Sequence, residues 1–232
     1  MPFSKLGLSD KILSTLKKSG FSKPTPIQEK VIPLVLKKHD ILAQAQTGSG
    51  KSASFVLPIL EFLSKNRGEG KAKIKALVLT PTRELTLQVA DAFKTFGRDF
   101  KKKLKVVSVI GGEGIGDQLY AIQQGCDVLV ATSGRLLDVV SKKQMNLSLV
   151  EFLVLDEADK MLNLGFAEEL ELILKEIPSQ RQNLLFSATY PTFPYRLSSS
   201  HRKNSKSWKS RDGSFFYLTR ESRPFCNYSK KM

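Results

Sequence analysis

Short apolar runs alternate with longer amphipathic stretches from residue 40 onward. Several of the runs are continuous in Val, Leu and Ile, which is typical of strands covered on both faces of a sheet. The stretches between them carry apolar residues at spacings of three and four, which predicts helices. The predicted strands cover residues 41–43, 76–80, 105–110, 127–131, 151–155 and 183–187. The predicted helices cover residues 51–65, 82–99, 116–125, 133–142 and 165–177.

This alternation predicts an α/β fold, a parallel β-sheet with helices on both faces joined by right-handed crossovers. The pattern ends near Pro191. Residues 193–232 contain two Leu, no Ile or Val, and eight aromatic residues without periodicity. Such a segment cannot bury enough aliphatic surface to offset its ordering entropy. We therefore expect one folded domain over residues 1–191 and a disordered basic tail over residues 192–232.

Charge is unevenly distributed along the chain. The formal net charge is +15, which suggests a polyanionic partner. Residues 190–232 hold 10 Lys or Arg against 2 Asp or Glu, so residues 1–189 hold 27 basic and 20 acidic residues. The folded part is therefore moderately basic, and the tail supplies about half of the excess.

The remaining composition excludes several classes of protein. Two cysteines, Cys126 and Cys226, are too far apart to indicate a zinc site or a disulfide framework. The two histidines, His39 and His201, provide no pair for catalysis. No segment approaches the roughly 20 apolar residues of a membrane span, and the N-terminus has no export signal. We expect a cytoplasmic protein that does not contact membranes.

A glycine-rich turn, AQTGSGKS, lies between the first predicted strand and the first predicted helix. Glycines in such a loop let backbone N–H groups surround phosphate oxygens, and the helix N-terminus adds partial positive charge. A lysine there reaches the outer phosphates, and the following Ser holds Mg²⁺. The usual motif begins with Gly, whereas Ala45 stands first here. The residues assigned to the phosphate site are Ala45, Gln46, Thr47, Gly48, Ser49, Gly50, Lys51 and Ser52.

An acidic tetrapeptide, DEAD, follows the strand predicted at residues 151–155. Asp156 should lie at the carboxyl end of that strand, beside the phosphate loop, where it can hold Mg²⁺ directly or through water. Glu157 is the candidate base that deprotonates the attacking water. The alternative is an acidic helix N-cap, because Asp and Glu are favoured there. The phosphate loop upstream favours the catalytic interpretation, in which Lys51, Asp156 and Glu157 act together.

Seven motifs carry a family resemblance: GFSKPTPIQ, AQTGSGKS, PTREL, a Gly-Gly pair, TSGR, DEAD and SAT. In this order they resemble the first RecA-like domain of the DEAD-box ATP-dependent RNA helicases, in particular the RhlE-like group. The resemblance covers residues 1–191 and implies a RecA-like P-loop domain that binds ATP and Mg²⁺. It also implies that Gln28 reads the adenine edge and that Phe21 lies against the base. From the residues alone, PTPIQ is also an ordinary proline-marked helix start.

The resemblance implies an RNA-binding edge as well. Single-stranded or duplex RNA would be held through its sugar-phosphate backbone, without base reading. An isolated surface arginine is more often a solvated charge. The family usually has Pro where Ser133 stands. The implied RNA-binding residues are Pro81, Thr82, Arg83, Gly111, Gly112, Thr132, Gly134 and Arg135.

The resemblance further implies a coupling group, in which Ser187 and Thr189 hydrogen-bond toward Asp159 and link the ATP site to domain closure. Ser and Thr at a strand end are otherwise ordinary turn residues. A ribonucleoprotein or RNA-decay assembly is a further implied partner, and no obligate oligomer is expected.

The segment after Pro191 does not fit this family. Its helicases complete the site with a second RecA-like domain that supplies arginines to the γ-phosphate, and 41 residues are too few for one. The HRKNS segment lacks the glycine and second arginine of the family's His-Arg-Gly-Arg motif. We expect that the second domain is absent and that hydrolysis is feeble, because an arginine finger contributes about 10³ to 10⁵ in rate.

Two explanations of the tail stay open, a frameshift near Pro191 and a genuine basic RNA-binding arm. Three functions stay open for the chain. The leading one is an RNA helicase reduced to its ATP-binding half. The alternatives are a non-catalytic ATP- and RNA-binding module, and a different P-loop ATPase such as a DNA helicase or a transporter subunit.

Overall fold

The computed structural model describes residues 1–46, 48–189, 206–209 and 215–219. After a short 3₁₀ turn at Phe3–Lys5, eight helices are present in the described residues. They are α1 (Asp10–Lys18), α2 (Pro26–Leu36), α3 (Lys51–Asn66), α4 (Arg83–Gly97), α5 (Ile115–Gln123), α6 (Ser133–Ser141), α7 (Ala158–Asn163) and α8 (Ala167–Lys175). The strands are β1 (Asp40–Gln44), β2 (Ala76–Thr80), β3 (Val106–Val109), β4 (Val128–Thr132), β5 (Phe152–Leu155), β6 (Gln182–Ser187), β7 (Lys206–Lys209) and β8 (Phe215–Thr219).

Six strands form a parallel sheet in the order β3-β4-β2-β5-β6-β1. The predicted α/β class is therefore confirmed, and each predicted strand differs from its observed bounds by one residue or less at either end. Only β6 separates the parallel strands β1 and β5, so the loops that follow these two strands lie close together at one edge of the sheet. Parallel strands point the same way, so this edge collects all six carboxyl ends.

Two apolar layers cover the sheet. One face packs against α1 to α4 around the fully buried Phe55, Phe93 and Phe186. The other packs against α5 to α8 around Leu129, Leu153 and Met161. Side chains alternate between the two layers along each strand, which is why buried strands read as continuous apolar runs. The sequence pattern did not predict α1 or α7, and it identified only the start of α2.

The tail differs from its predicted disorder in part. Strand β8 pairs antiparallel with β1, and β7 pairs antiparallel with β8. Without β8, β1 would be an edge strand with unpaired backbone groups, and residues 215–219, FFYLT, have high β-propensity. The structure describes these nine residues as strands, and disorder of the tail stays a prediction. The other residues of the tail, including His201 and Cys226, lie outside the described residues.

Among the described residues, no helix has both the length and the apolar character that crossing a membrane requires.

Candidate functional site

The phosphate loop connects β1 to α3 at the carboxyl edge of the sheet. Ala45 N–H donates to the Ser187 carbonyl at 2.9 Å, which continues the pairing of β1 with β6 into the loop. Gly48 and Gly50 both have positive φ, +80° and +88°. At Gly50 a Cβ would lie 2.5 Å from the Gln28 side-chain nitrogen, so both its backbone conformation and its surroundings require glycine. Thr47 lies outside the described residues.

Lys51 is the first residue of α3, and its side chain is folded back under the loop. Its ammonium donates to the Ala45 carbonyl at 3.0 Å, and the residue is 6% exposed. No carboxylate of the described residues lies within ion-pair distance of this group. A buried, unpaired ammonium at a helix N-terminus provides positive charge where the sequence predicts phosphate. Ser52, the next residue, is partly exposed.

Asp156 follows β5 directly and is buried beside the loop, 2% exposed. Its N–H donates to the Leu79 carbonyl at 3.0 Å, and its Oδ1 accepts from the Glu157 N–H at 3.0 Å. Burial raises the pKa of Asp156 to about 6, and the charge of Lys51 opposes the rise. A buried carboxylate that is not paired with a cation is a destabilised anion, and a bound metal ion would relieve it.

Glu157 adopts the left-handed conformation, with φ 54° and ψ 48°, at the N-terminus of α7. This conformation is costly for a residue with a Cβ, and such strain concentrates at functional sites. Its carboxylate forms an ion pair with Lys160 at 2.8 Å, which raises the pKa of Lys160. Lys160 was not among the residues assigned from the sequence. The spacing of three residues on a helix is the signal that would have identified it.

Asp159 lies on the same helix and reaches the end of β6. Its Oδ2 accepts hydrogen bonds from both the N–H and the hydroxyl of Thr189, each at 2.9 Å. Burial alone would raise the pKa of Asp159, but these hydrogen bonds outweigh it and hold the pKa below its usual value. The Ser187 hydroxyl nearby is fully buried. The helix after DEAD and the strand end at SAT are thus directly connected.

Gln28 is buried, 1% exposed, and both ends of its amide are occupied within the chain. Its Oε1 accepts from the Thr25 N–H at 3.0 Å, which caps α2, and its Nε2 donates to the Gly50 carbonyl at 3.1 Å. The side chain predicted to read adenine therefore supports the phosphate loop in this structure. Phe21 is 40% exposed and packs edge-on against Phe96, with ring centroids 5.2 Å apart.

The residues predicted to grip RNA follow β2, β3 and β4. Arg83 begins α4, and its guanidinium packs on Gly112, where a Cβ would lie 2.5 Å from Nη1. Gly112 also has a φ of +77°, a conformation that favours glycine, whereas Gly111 has open space around it. The Arg135 guanidinium donates to the Glu113 carbonyl. The structure thereby links the PTREL, Gly-Gly and TSGR segments through two arginines.

The remaining residues of this edge have structural contacts. Thr82 caps α4 by accepting from the Leu85 N–H at 3.3 Å, while Pro81 is buried. Thr132 is the last residue of β4, and Gly134 is exposed in the first turn of α6. Ser133, which stands where Pro is usual, is 1% exposed, and its hydroxyl has no partner among the described residues.

The residues present fit a nucleotide with Mg²⁺. Within the described part of the chain, no group of three His, Cys, Asp or Glu side chains could hold a metal ion by itself. Mg²⁺ commonly takes one or two protein oxygens and completes its shell with phosphates and water. The buried carboxylate of Asp156 and the hydroxyl of Ser52 suit this mode, and the loop and Lys51 suit the phosphates.

Known proteins resemble this chain in sequence and in fold. The family model described as DEAD/DEAH box helicase matches residues 25–197. The chain is 49% identical over 191 residues to a DEAD-box ATP-dependent RNA helicase CshA of Streptococcus pneumoniae, which covers 82% of this chain and 35% of that protein. The ATP-dependent RNA helicase DeaD of Buchnera aphidicola is 47% identical over 202 residues, with coverage of 87% and 33%.

A solved structure is also similar. The crystal structure of a DEAD box protein from the hyperthermophile Methanococcus jannaschii has a TM-score of 0.76 and 45% identity, and the match covers 82% of this chain and 51% of that chain. The chain therefore spans about a third to a half of the length of these relatives.

Proposed function

Because the chain belongs to the DEAD/DEAH box helicase family, we propose that it forms the ATP-binding half of an ATP-dependent RNA helicase. The observation that carries the proposal is the proximity of two buried charges near the ends of β1 and β5. The Lys51 ammonium has no ion-pair partner among the described residues, and it acts on the buried carboxylate of Asp156 through its charge. These two opposite charges are buried at the sheet edge but do not form an ion pair with each other. Such an arrangement suits a ligand that carries both phosphate and a divalent cation.

In the proposed site, backbone N–H groups of residues 45–50 and the Lys51 ammonium bind the phosphates of ATP. Lys51 would exchange its bond to the Ala45 carbonyl for a phosphate oxygen. Ser52 and Asp156 hold Mg²⁺, which when bound shields the charge on the phosphates. Asp156 must be ionised for this role, so cation binding should weaken below the pH at which Asp156 takes up its proton.

Glu157 is the proposed base. It accepts a proton from a water molecule as the water oxygen bonds to the γ-phosphorus and the bond to the bridging oxygen of ADP breaks. The ion pair with Lys160 restrains the Glu157 carboxylate at the N-terminus of α7. The strained backbone at Glu157 is consistent with a side chain held for function rather than for stability.

Adenine selection is assigned to Gln28, with Phe21 against the base. An amide can donate and accept at once, which suits the adenine edge. Since its Nε2 now bonds to the Gly50 carbonyl, reading adenine would release that carbonyl and alter the phosphate loop. Base recognition and phosphate binding are therefore coupled in this proposal.

RNA is the proposed macromolecular substrate. Arg83 and Arg135, with Pro81, Thr82, Thr132 and the glycines at 111, 112 and 134, would contact sugar and phosphate on the carboxyl edge. Through their paired hydrogen bonds, Asp159 and Thr189 would couple nucleotide binding at the ATP site to the end of β6. A cytoplasmic location, and a place in a ribonucleoprotein or RNA-decay assembly without obligate self-association, complete the proposal.

Residues 1–191 form the proposed ATP-binding domain, and residues 192–232 are proposed to lie outside it. Weak turnover is expected of these residues alone, because the arginines that a second RecA-like domain would supply to the γ-phosphate lie outside them. A non-catalytic ATP- and RNA-binding module is the second candidate.

Nucleotide binding and steady-state ATPase, with and without single-stranded RNA, test the proposal on the 232-residue chain. ATP binding in the presence of Mg²⁺ is expected for the parent and should be lost in Lys51→Ala. Unchanged affinity in that variant would reject the site. Turnover stimulated by RNA would identify a catalytic half, whereas binding without turnover would identify the non-catalytic module.

A further inference from the structure

Two basic loops lie at the edge of the sheet opposite the candidate site. Residues 67–75 lead into β2, and residues 98–105 lead into β3. Because the strands are parallel, both loops lie at the amino-terminal edge, whereas Arg83 and the phosphate loop lie at the carboxyl edge. We call residues 67–75 and 98–105 together the basic edge. With strands of five residues at about 3.3 Å per residue, the two edges are roughly 17 Å apart.

The basic edge carries the whole charge excess of the folded part. Its two loops hold nine Lys or Arg against Glu69 and Asp99, while the rest of residues 1–189 holds 18 basic and 18 acidic residues. Asp99 is itself paired with Lys18 at 3.0 Å. The carboxyl edge, in contrast, carries several acidic residues beside its arginines. The attraction for a polyanion is therefore concentrated away from the predicted RNA-binding residues.

Hydrogen bonds join the two loops into one surface. The Arg67 guanidinium donates to the carbonyls of Lys102 and Lys103 at 2.9 and 2.7 Å, and it forms an ion pair with the buried Asp127 at 3.0 Å. Asp127 in turn accepts from the Lys105 N–H at 2.8 Å. Arg67 is thus used to hold the loops together. The side chains at 71, 73, 101, 102 and 103 are left exposed.

We propose that the basic edge is a second RNA-binding surface, which holds the phosphate backbone of an RNA segment other than the one on the carboxyl edge. Polyanion binding through phosphates requires exposed Lys and Arg and no base reading, which matches this surface. Protein interfaces are depleted in Lys at their centres, and membrane-binding surfaces expose large apolar residues. None of the exposed large apolar side chains of the described residues lies in the basic edge.

This inference goes beyond the proposed function, on which it rests only for the choice of RNA as the nucleic acid. The two surfaces differ in what they need. The carboxyl edge should bind a short RNA in a manner that depends on ATP and Mg²⁺. The basic edge should add affinity only for an RNA long enough to reach it, independently of nucleotide and with a steep dependence on salt.

The test measures fluorescence anisotropy of labelled oligouridylates of about 6 and about 30 nucleotides, lengths that bracket common single-strand site sizes. The full chain is compared with Lys101→Glu/Lys103→Glu and with Lys71→Glu/Lys73→Glu, one pair in each loop. The matched control is Lys142→Glu/Lys175→Glu, which changes the net charge equally at two exposed positions. Lys142 directly follows α6 and Lys175 is the last residue of α8, and both helices pack on the other face of the sheet. Unchanged thermal unfolding checks that each variant folds.

Each loop pair is expected to weaken binding of the long RNA several-fold without nucleotide. It should also flatten the slope of log affinity against log salt by about 1.4, which corresponds to two lost single-strand contacts. The control should not do so, and binding of the short RNA with a non-hydrolysable ATP analogue should be unchanged. An equal loss in the control, or no loss in either loop pair, would overturn the proposal.

The proposal would also be overturned, in favour of a membrane partner, if the loop variants lost binding to phosphatidylserine vesicles but kept binding to RNA. Failure of the parent to bind short RNA with the ATP analogue would instead count against the proposed function, and the comparison on long RNA would still be decisive.

Discussion

The replacement of Asp156 by Asn should stabilise the fold while removing its proposed function. The carboxylate is buried beside the phosphate loop, and its pKa is raised from 3.8 to about 6. In the unfolded chain the group ionises near 3.8, but in the folded chain it ionises only near 6. Stability therefore falls as pH rises between these values, and the full penalty is present above about pH 6. Two pH units correspond to about 3 kcal/mol.

Asn removes this penalty and keeps the useful contact. Its side-chain oxygen can still accept from the Glu157 N–H, which donates to Asp156 at 3.0 Å. At pH 7.5 we expect the free energy of unfolding to rise by up to about 3 kcal/mol, which raises Tm by roughly 6 to 12 °C in a chain of this size. At pH 5 the gain should fall to about half, since part of the parent is then protonated.

Urea unfolding followed by circular dichroism, without nucleotide and with a chelator present, measures this gain at both pH values. Asp159→Asn is the matched control. Its carboxylate has a lowered pKa and accepts two hydrogen bonds from Thr189, so its replacement should destabilise the fold. A variant Asp156→Asn that is no more stable than the parent at pH 7.5, or whose gain is the same at pH 5, would refute the reasoning.

Three further predictions follow from the backbone and the core. Gly50→Ala should lose most ATP affinity and destabilise the fold by more than about 1 kcal/mol, because φ is +88° and the new Cβ would clash with Gln28; unchanged binding by titration calorimetry would contradict this. Glu157→Gly should raise the free energy of unfolding by about 1 kcal/mol, because glycine adopts the left-handed conformation of this position without strain, whereas Glu157→Gln should not raise it. Hydrolysis should be lost in both variants. Truncation after Thr189 should leave a single cooperative melt, because the described apolar residues of both layers lie before that point. A broad, uncooperative transition would argue that β8 is needed to cover β1.

The sequence determined the local features of this protein. A strand covered on both faces must be apolar at successive positions, so the six runs marked the strands to within a residue at each end. The phosphate loop was also predictable, because its glycines, lysine and serine are contiguous and act through local backbone geometry. Helix α7 was missed because six residues give little periodicity, and α1 was missed because it precedes the alternation of strands and helices, which begins at residue 40.

Only the tertiary structure decided which of these features lie close together. Strand order places β6 between β1 and β5, and so brings Lys51 near Asp156 across more than a hundred residues of sequence. No local pattern reveals that Gln28 bonds to the Gly50 carbonyl, that burial raises the pKa of Asp156, or that Arg67 joins two basic loops. Strand β8 was missed for the same reason, because its pairing depends on the edge that β1 presents. Periodicity reports which face of an element is buried, whereas contacts and electrostatics depend on which elements are packed together.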